Sequence, residues 1–124
     1  MNPSSILVVD DNPSNLKLFT YLLALPGYAV TTAADAQQAL AVLARLVPDL
    51  IIMDLQLPDV DGLTLTRQLK ADPKMQKVPI VAVTASAMKG DEEKARAAGV
   101  DGYMSKPVEK SAFRAMVATY LQRG

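Results

Sequence analysis

The chain has no cysteine and no histidine, and it has no surplus of either charge: 13 Lys and Arg stand against 13 Asp and Glu. Each absence excludes a class of chemistry. Without cysteine there is no disulfide framework and no thiolate metal site. Without histidine there is no Ser-His-Asp triad, no imidazole zinc site and no imidazole acid or base. A balanced chain lacks the basic excess that neutralising a phosphate backbone requires, so no direct nucleic-acid partner is expected. No apolar run reaches the length of a membrane span. The start, Met1-Asn2-Pro3-Ser4-Ser5, lacks the basic and apolar regions of a signal peptide. A cytoplasmic domain without a membrane partner is therefore the expectation. Carboxylates, hydroxyls, amines, backbone groups and a hard cation remain to do chemistry.

What is present is apolar and regularly punctuated. Half of the 124 residues are hydrophobic, and a chain of this length buries roughly 65% of its unfolded surface as a single domain, 1–124. Ile6-Leu7-Val8-Val9 is a continuous β-branched run, the mark of a strand buried on both faces. It stops at Asp10-Asp11-Asn12-Pro13, where Asn12 suits a helix cap and Pro13 a first helical position. Leu16, Phe19, Leu22 and Leu23 then follow at helical spacing up to Pro26-Gly27.

The pattern repeats. Tyr28 to Thr32 reads as a second strand, and Asp35 as the cap of a helix striped by Ala36, Ala39, Leu40 and Leu43. Leu50 to Met53 is a third strand, followed by Asp54, and a short helix carries Leu65 and Leu69. Ile80 to Val83 is a fourth strand ending in Thr84. Asp91 to Ala98 is a helix with Gly99 as its C′ residue. Gly102 to Ser105 is a weaker fifth strand ending at Lys106-Pro107, and the last helix carries Phe113, Met116, Val117, Tyr120 and Leu121. Strand and helix alternating five times predict a flavodoxin-like (βα)5 three-layer sandwich, a parallel sheet in the order 2-1-3-4-5.

In such sheets, sites gather at the carboxyl ends of the strands. There the sequence puts Asp10 and Asp11, Asp54, Thr84 and Lys106. With strands one and three adjacent, three carboxylates meet at one edge. Like charges so close need raised pKa values or a cation. Oxygen ligands without His or Cys point to Mg²⁺, bound by one or two carboxylates and waters at about 2.1 Å, with Mn²⁺ as a substitute. The set has no proton shuttle but suits a phosphoryl group, and a carboxylate is a competent nucleophile for one.

Four stretches in order carry a resemblance: Ile6 to Asn12, Ile51 to Pro58 with Asp61-Gly62, Val83-Thr84-Ala85, and Gly102 to Pro107. The chain resembles a response-regulator receiver domain of two-component signalling over essentially its full length. Ala87 to Asp91 with Ala97-Ala98-Gly99 looks most like single-domain regulators and hybrid-kinase receivers, and is similar to the cell-cycle receivers of alphaproteobacteria. The resemblance implies Asp54 as phosphoryl acceptor and Asp11 as a direct Mg²⁺ ligand. Asp54 would share that ion, Asp10 would act through water, and the Gln56 backbone carbonyl would be a further ligand. It implies Lys106 and the Thr84 hydroxyl on the phosphoryl oxygens, Tyr103 as the aromatic that follows Thr84, and a cis bond between Lys106 and Pro107. Gln56 and Ser86 would shape water access to the phosphoryl group. The implied partners are a histidine kinase or histidine phosphotransfer protein that donates the group, and a downstream protein effector. The domain would be a monomer or a phosphorylation-dependent homodimer, and a signalling module rather than a turnover enzyme.

Other readings weigh less. A Mg²⁺-dependent phosphatase with an Asp nucleophile would want that Asp directly after an apolar strand, whereas Asp59 in Asp59-Val60-Asp61-Gly62 follows Pro58. A calcium loop over the same stretch would put Leu57 and Gln68 at ligand positions. The stretch instead reads as a loop covering the site and a cap for the third helix. A flavin carrier on this topology wants a Ser/Thr/Gly-rich phosphate loop where Asp10-Asp11 stands. A receiver cut from a hybrid histidine kinase would share every feature above.

Overall fold

Alternate residues of each central strand face opposite sides of a sheet, and this chain supplies apolar residues to both. A computed structural model, which describes residues 3–85 and 90–123, shows the result. The elements are β1 (Ser5–Val9), α1 (Pro13–Ala24), β2 (Ala29–Ala33), α2 (Ala36–Leu43), β3 (Leu50–Asp54), α3 (Gly62–Ala71), β4 (Ile80–Thr84), α4 (Asp91–Ala98), β5 (Gly102–Ser105) and α5 (Lys110–Arg123). All strand pairs are parallel, in the order β2-β1-β3-β4-β5. Ile6, Val8, Leu50, Ile52, Val81 and Val83 face α1 and α5, meeting Phe19, Leu22, Leu23, Phe113 and Val117. Leu7, Val9, Ile51, Met53, Ile80 and Ala82 face α2, α3 and α4. Phe19 and Phe113 stack at 5.0 Å between ring centres, joining α1 to α5. Burying each such ring contributes about 2–3 kcal/mol.

The helix ends follow the predicted chemistry. Asn12 Oδ1 accepts from the backbone N–H of Ser14 at 2.8 Å and of Asn15 at 3.4 Å, which caps α1 one residue after the acid pair. Asp35 accepts from Gln38 N–H at 2.7 Å, and Asp61 from Leu63 N–H at 2.9 Å. Gly99 closes α4 at φ 117°, a left-handed conformation that favours glycine.

Three details depart from the sequence pattern. The second strand runs Ala29–Ala33, one residue later than Tyr28 to Thr32. Leu40 is not in the core: Ala36 and Ala39 seat α2, the buried row continues to Val42 and Leu43, and Leu40 is left at the rim, 36% exposed. Of the α5 stripe, Phe113 and Val117 are fully buried while Met116, Tyr120 and Leu121 are half-buried at its edge. Ser86 and the resemblance drawn on Ala87 to Lys89 lie outside the described residues. No helix of the described residues is long and apolar enough to cross a membrane.

Gly62 positions the loop after β3. Its N–H donates to the Leu55 carbonyl at 3.0 Å, and a Cβ there would lie 2.6 Å from Leu55 Cα and 2.7 Å from the Asp54 carbonyl oxygen. Both obstacles are backbone, so neither can rotate aside. We expect Gly62→Ala to cost about 2–3 kcal/mol in urea unfolding, and to disturb the end of β3 that carries Asp54. An unchanged midpoint would show that the loop yields freely.

Candidate functional site

Because β1, β3, β4 and β5 are parallel neighbours, their carboxyl ends finish at one edge. Val9 pairs with Met53, Asp54 with Val83, and Thr84 with Ser105. Asp10 follows β1 at 1% exposure, and Asp54 ends β3 at 5%. Asp11, next in chain, is exposed. Asp10, Asp11 and Asp54 each offer a carboxylate oxygen, all within 4.8 Å of one another.

Lys106 reaches this cluster from the far side of the sheet. Its backbone N–H donates to the Thr84 carbonyl at 2.8 Å, which fixes the residue just past β5. Its ammonium donates to Asp10 Oδ2 at 2.8 Å and to Asp54 Oδ2 at 3.2 Å. The peptide bond from Lys106 to Pro107 is cis, as expected. Each carboxylate also accepts from the turn that follows it: Asp10 Oδ1 from Asn12 N–H at 2.9 Å, and Asp54 Oδ1 from Gln56 N–H at 3.0 Å. Two buried acids thus have their remaining oxygens fixed by backbone, and share one cation.

The electrostatics follow from that sharing. Burial pushes the Asp54 carboxyl above the ordinary aspartate range. The Gln56 N–H opposes this, Asp10 reinforces it, and Lys106 opposes it again. For Lys106, burial disfavours the ammonium, but the hydrogen bond to Asp10, its charge and that of Asp54 outweigh burial and raise the pKa. Lys106 is therefore a permanent cation here.

Thr84 is buried at 2% exposure and borders a cavity of about 140 Å³ together with Gln56, Asp61 and Asp91. Tyr103 pairs with Ala82, two residues before Thr84, so it shares the sheet face of Thr84. It is half-buried against the α2–α4 core. Burial raises the pKa of its phenol, with Asp91 and Glu92 adding to the effect. Its hydroxyl is buried with no hydrogen-bond partner among the described residues. A buried polar atom left unpaired costs free energy, so Tyr103→Phe is expected to stabilise the fold by about 1 kcal/mol in urea unfolding. A destabilised variant would mean that the hydroxyl is satisfied.

Two contributions were not legible in the sequence. Asn15, in the first turn of α1, donates its side-chain amide to Asp10 Oδ2 at 3.3 Å; only its place on the turn that Asn12 caps hinted at this. Asp59 accepts from the N–H groups of Ala36 and Gln37, both at 3.0 Å. It thereby caps α2 from the β3–α3 loop, and the bond to Ala36 leads in holding its carboxyl below the usual range. The loop is thereby moored to a neighbouring helix. Asp61 caps α3.

A doubly wound parallel sheet with three acids and a lysine gathered at its carboxyl edge belongs to the class of open α/β folds whose sites lie at that edge. Residues 6–118 match the model of the response regulator receiver domain, and the chain belongs to that family of two-component signalling modules. It is 43% identical over 119 residues to the polar-differentiation response regulator DivK of Brucella anthropi, covering 96% of this chain and 97% of that protein. The receiver domain of the sensor histidine kinase PA1611 from Pseudomonas aeruginosa PAO1 superimposes with a TM-score of 0.89 at 36% identity, covering 98% of this chain and 99% of that one. That structure carries a magnesium ion in its active-site cleft. The chemotaxis protein CheY4 of Vibrio cholerae superimposes at 0.90 with 25% identity, over 96% of this chain and 99% of that one. The flavodoxin-like expectation and its strand order are borne out.

Proposed function

We propose that this receiver takes a phosphoryl group from a partner's phosphohistidine onto Asp54 and passes the signal on by protein contact. One observation carries the reading: Asp54 stands buried at the sheet edge with Lys106 at 3.2 Å and two further carboxylates within 4.8 Å. The Asp54 oxygen attacks phosphorus, the phosphorus–nitrogen bond breaks, and the imidazole leaves with that electron pair and takes up a proton. Histidine is absent from this chain, so the imidazole belongs to the partner, a histidine kinase or histidine phosphotransfer protein. Asp11, Asp54, the Gln56 carbonyl and, through water, Asp10 would hold Mg²⁺, which when bound neutralises charge on the transferring oxygens. This donor set is all oxygen, with carboxylates among neutral donors, which suits that ion. Lys106, already beside Asp54, would contact the same oxygens.

The product adds charge and strong acceptors beside Thr84. The Thr84 hydroxyl moves to them, and Tyr103 follows into the space vacated. The reading is favoured by the seat of α4, which buries only Ala95 and Ala98. So small an apolar footprint leaves the helix free to shift between two pre-existing arrangements, and the α4–β5–α5 surface changes with it. A downstream protein effector reads that surface.

The test is incubation with Mg²⁺ and acetyl phosphate followed by intact-mass measurement. One phosphoryl group should be gained, and a chelator should block the gain. Absence of any adduct would overturn the reading, and sustained hydrolysis of phosphate monoesters would favour a phosphatase instead.

A further inference from the structure

Asp10 Oδ2 is the crowded atom of the site, because it accepts from Lys106 at 2.8 Å and from Asn15 at 3.3 Å. Its partner oxygen is already committed to the Asn12 N–H. In the resting site Lys106 divides its ammonium between Asp10 and Asp54. If Lys106 is to meet incoming phosphoryl oxygens, it must loosen its hold on Asp10. That would leave a carboxylate at 1% exposure short of a donor, and a buried charge stripped of a partner is costly. Asn15 is placed to prevent this. Its amide nitrogen has two donors and already lies on the same oxygen, and the residue lines a cavity of about 260 Å³ beside Lys106 and Pro107.

We infer that Asn15 is a positioning residue for phosphoryl transfer: it holds Asp10 Oδ2 so that Lys106 can leave that oxygen for the phosphoryl group. The inference rests on the receiver reading for the transfer step, while the hydrogen-bond coupling beneath it is independent of that reading.

Two measurements separate the two. In a double-mutant cycle followed by urea unfolding without Mg²⁺, Asn15→Leu should change the folding equilibrium only slightly in the wild-type background. In the Lys106→Ala background it should lower that equilibrium at least tenfold more, since Asn15 is then the remaining side-chain donor on Asp10 Oδ2 among the described residues. A residue with a purely structural place in α1 would give additive effects, and additivity would overturn the inference. On the single variants, acetyl phosphate and intact mass read the transfer step. Asn15→Leu should lower the limiting phosphorylation rate about tenfold, with Mg²⁺ affinity by calorimetry within twofold of wild type, and Asn15→Gln should recover most of the rate. A wild-type rate in Asn15→Leu, or no recovery in Asn15→Gln, would also overturn the inference, even if Lys106→Ala fails to fold. A wild-type protein that takes no phosphoryl group would remove the receiver reading and the transfer role together, whatever the unfolding cycle showed.

Discussion

Asp54→Asn should abolish phosphoryl incorporation from acetyl phosphate and, at neutral pH, should make the protein more stable. The loss is complete because the amide oxygen is a poor nucleophile, and Asp10, the other buried carboxylate at this edge, has both oxygens committed to Asn12, Asn15 and Lys106. The gain in stability follows from the sign of the Asp54 shift. Its carboxyl titrates above the ordinary range in the folded protein, so between the unfolded and folded values the native state binds the proton more tightly. Stability then falls as pH rises through that window, and the full penalty of a buried anion beside Asp10 is present above it. Asparagine removes the penalty and keeps an oxygen for the Gln56 N–H. The difference in thermal midpoint between variant and wild type should therefore be largest at neutral pH and close as pH falls below the ordinary aspartate range. Asp59 and Glu109 behave oppositely, since backbone N–H groups lower their values; their stabilisation is lost on acidification in both proteins and cancels from the comparison. A single adduct in Asp54→Asn would move the acceptor elsewhere, and a lower midpoint at neutral pH would refute the assigned electrostatics.

Much of this site was legible because its chemistry sits where chain direction and periodicity agree. Apolar runs that feed both faces specify a parallel sheet, a parallel sheet specifies a carboxyl edge, and Asp10, Asp54, Thr84 and Lys106 each stand at the end of a run. The caps at Asn12, Asp35 and Asp61 were legible because capping is local. What escaped were pairings between distant segments. Nothing in the letters says that Asp59 would cap α2 from the β3–α3 loop, because that contact depends on how two loops meet after the sheet has formed. Asn15 escaped for a different reason. A polar residue in the first turn of a helix is ordinarily solvated, and only the buried Asp10 beneath it gives its amide a task. Leu40 misled because a helical stripe fixes a face only to within one residue on either side, and the small side chains of Ala36 and Ala39 decided how α2 lies on the sheet.

Lys106→Ala should be the most damaging single change to the resting fold among the charged residues of this edge. It leaves Asp10 and Asp54, at 1% and 5% exposure, as neighbouring anions without their shared cation, and breaking a buried pair in this way costs roughly 3 kcal/mol. The deficit has two predicted remedies. Protonation is one: with the opposing influence of Lys106 removed, the Asp54 carboxyl rises further, so the variant's disadvantage in urea unfolding should shrink on acidification. Mg²⁺ is the other. An ion that binds only the folded state stabilises it by mass action, and it meets less competition for the carboxylates once the ammonium is gone. Millimolar Mg²⁺ should therefore raise the midpoint of Lys106→Ala by more than it raises that of wild type, and chelator should reverse the gain. Phosphorylation behaves differently. If Lys106 and the metal act together on the transferring oxygens, as proposed, Mg²⁺ alone should restore stability without restoring rate, and phosphoryl incorporation should remain slower than wild type on the order of a hundredfold. Rate and stability recovering together would reduce Lys106 to a counter-ion for the acid cluster. Stability recovering alone would assign it a separate contact with the phosphoryl group.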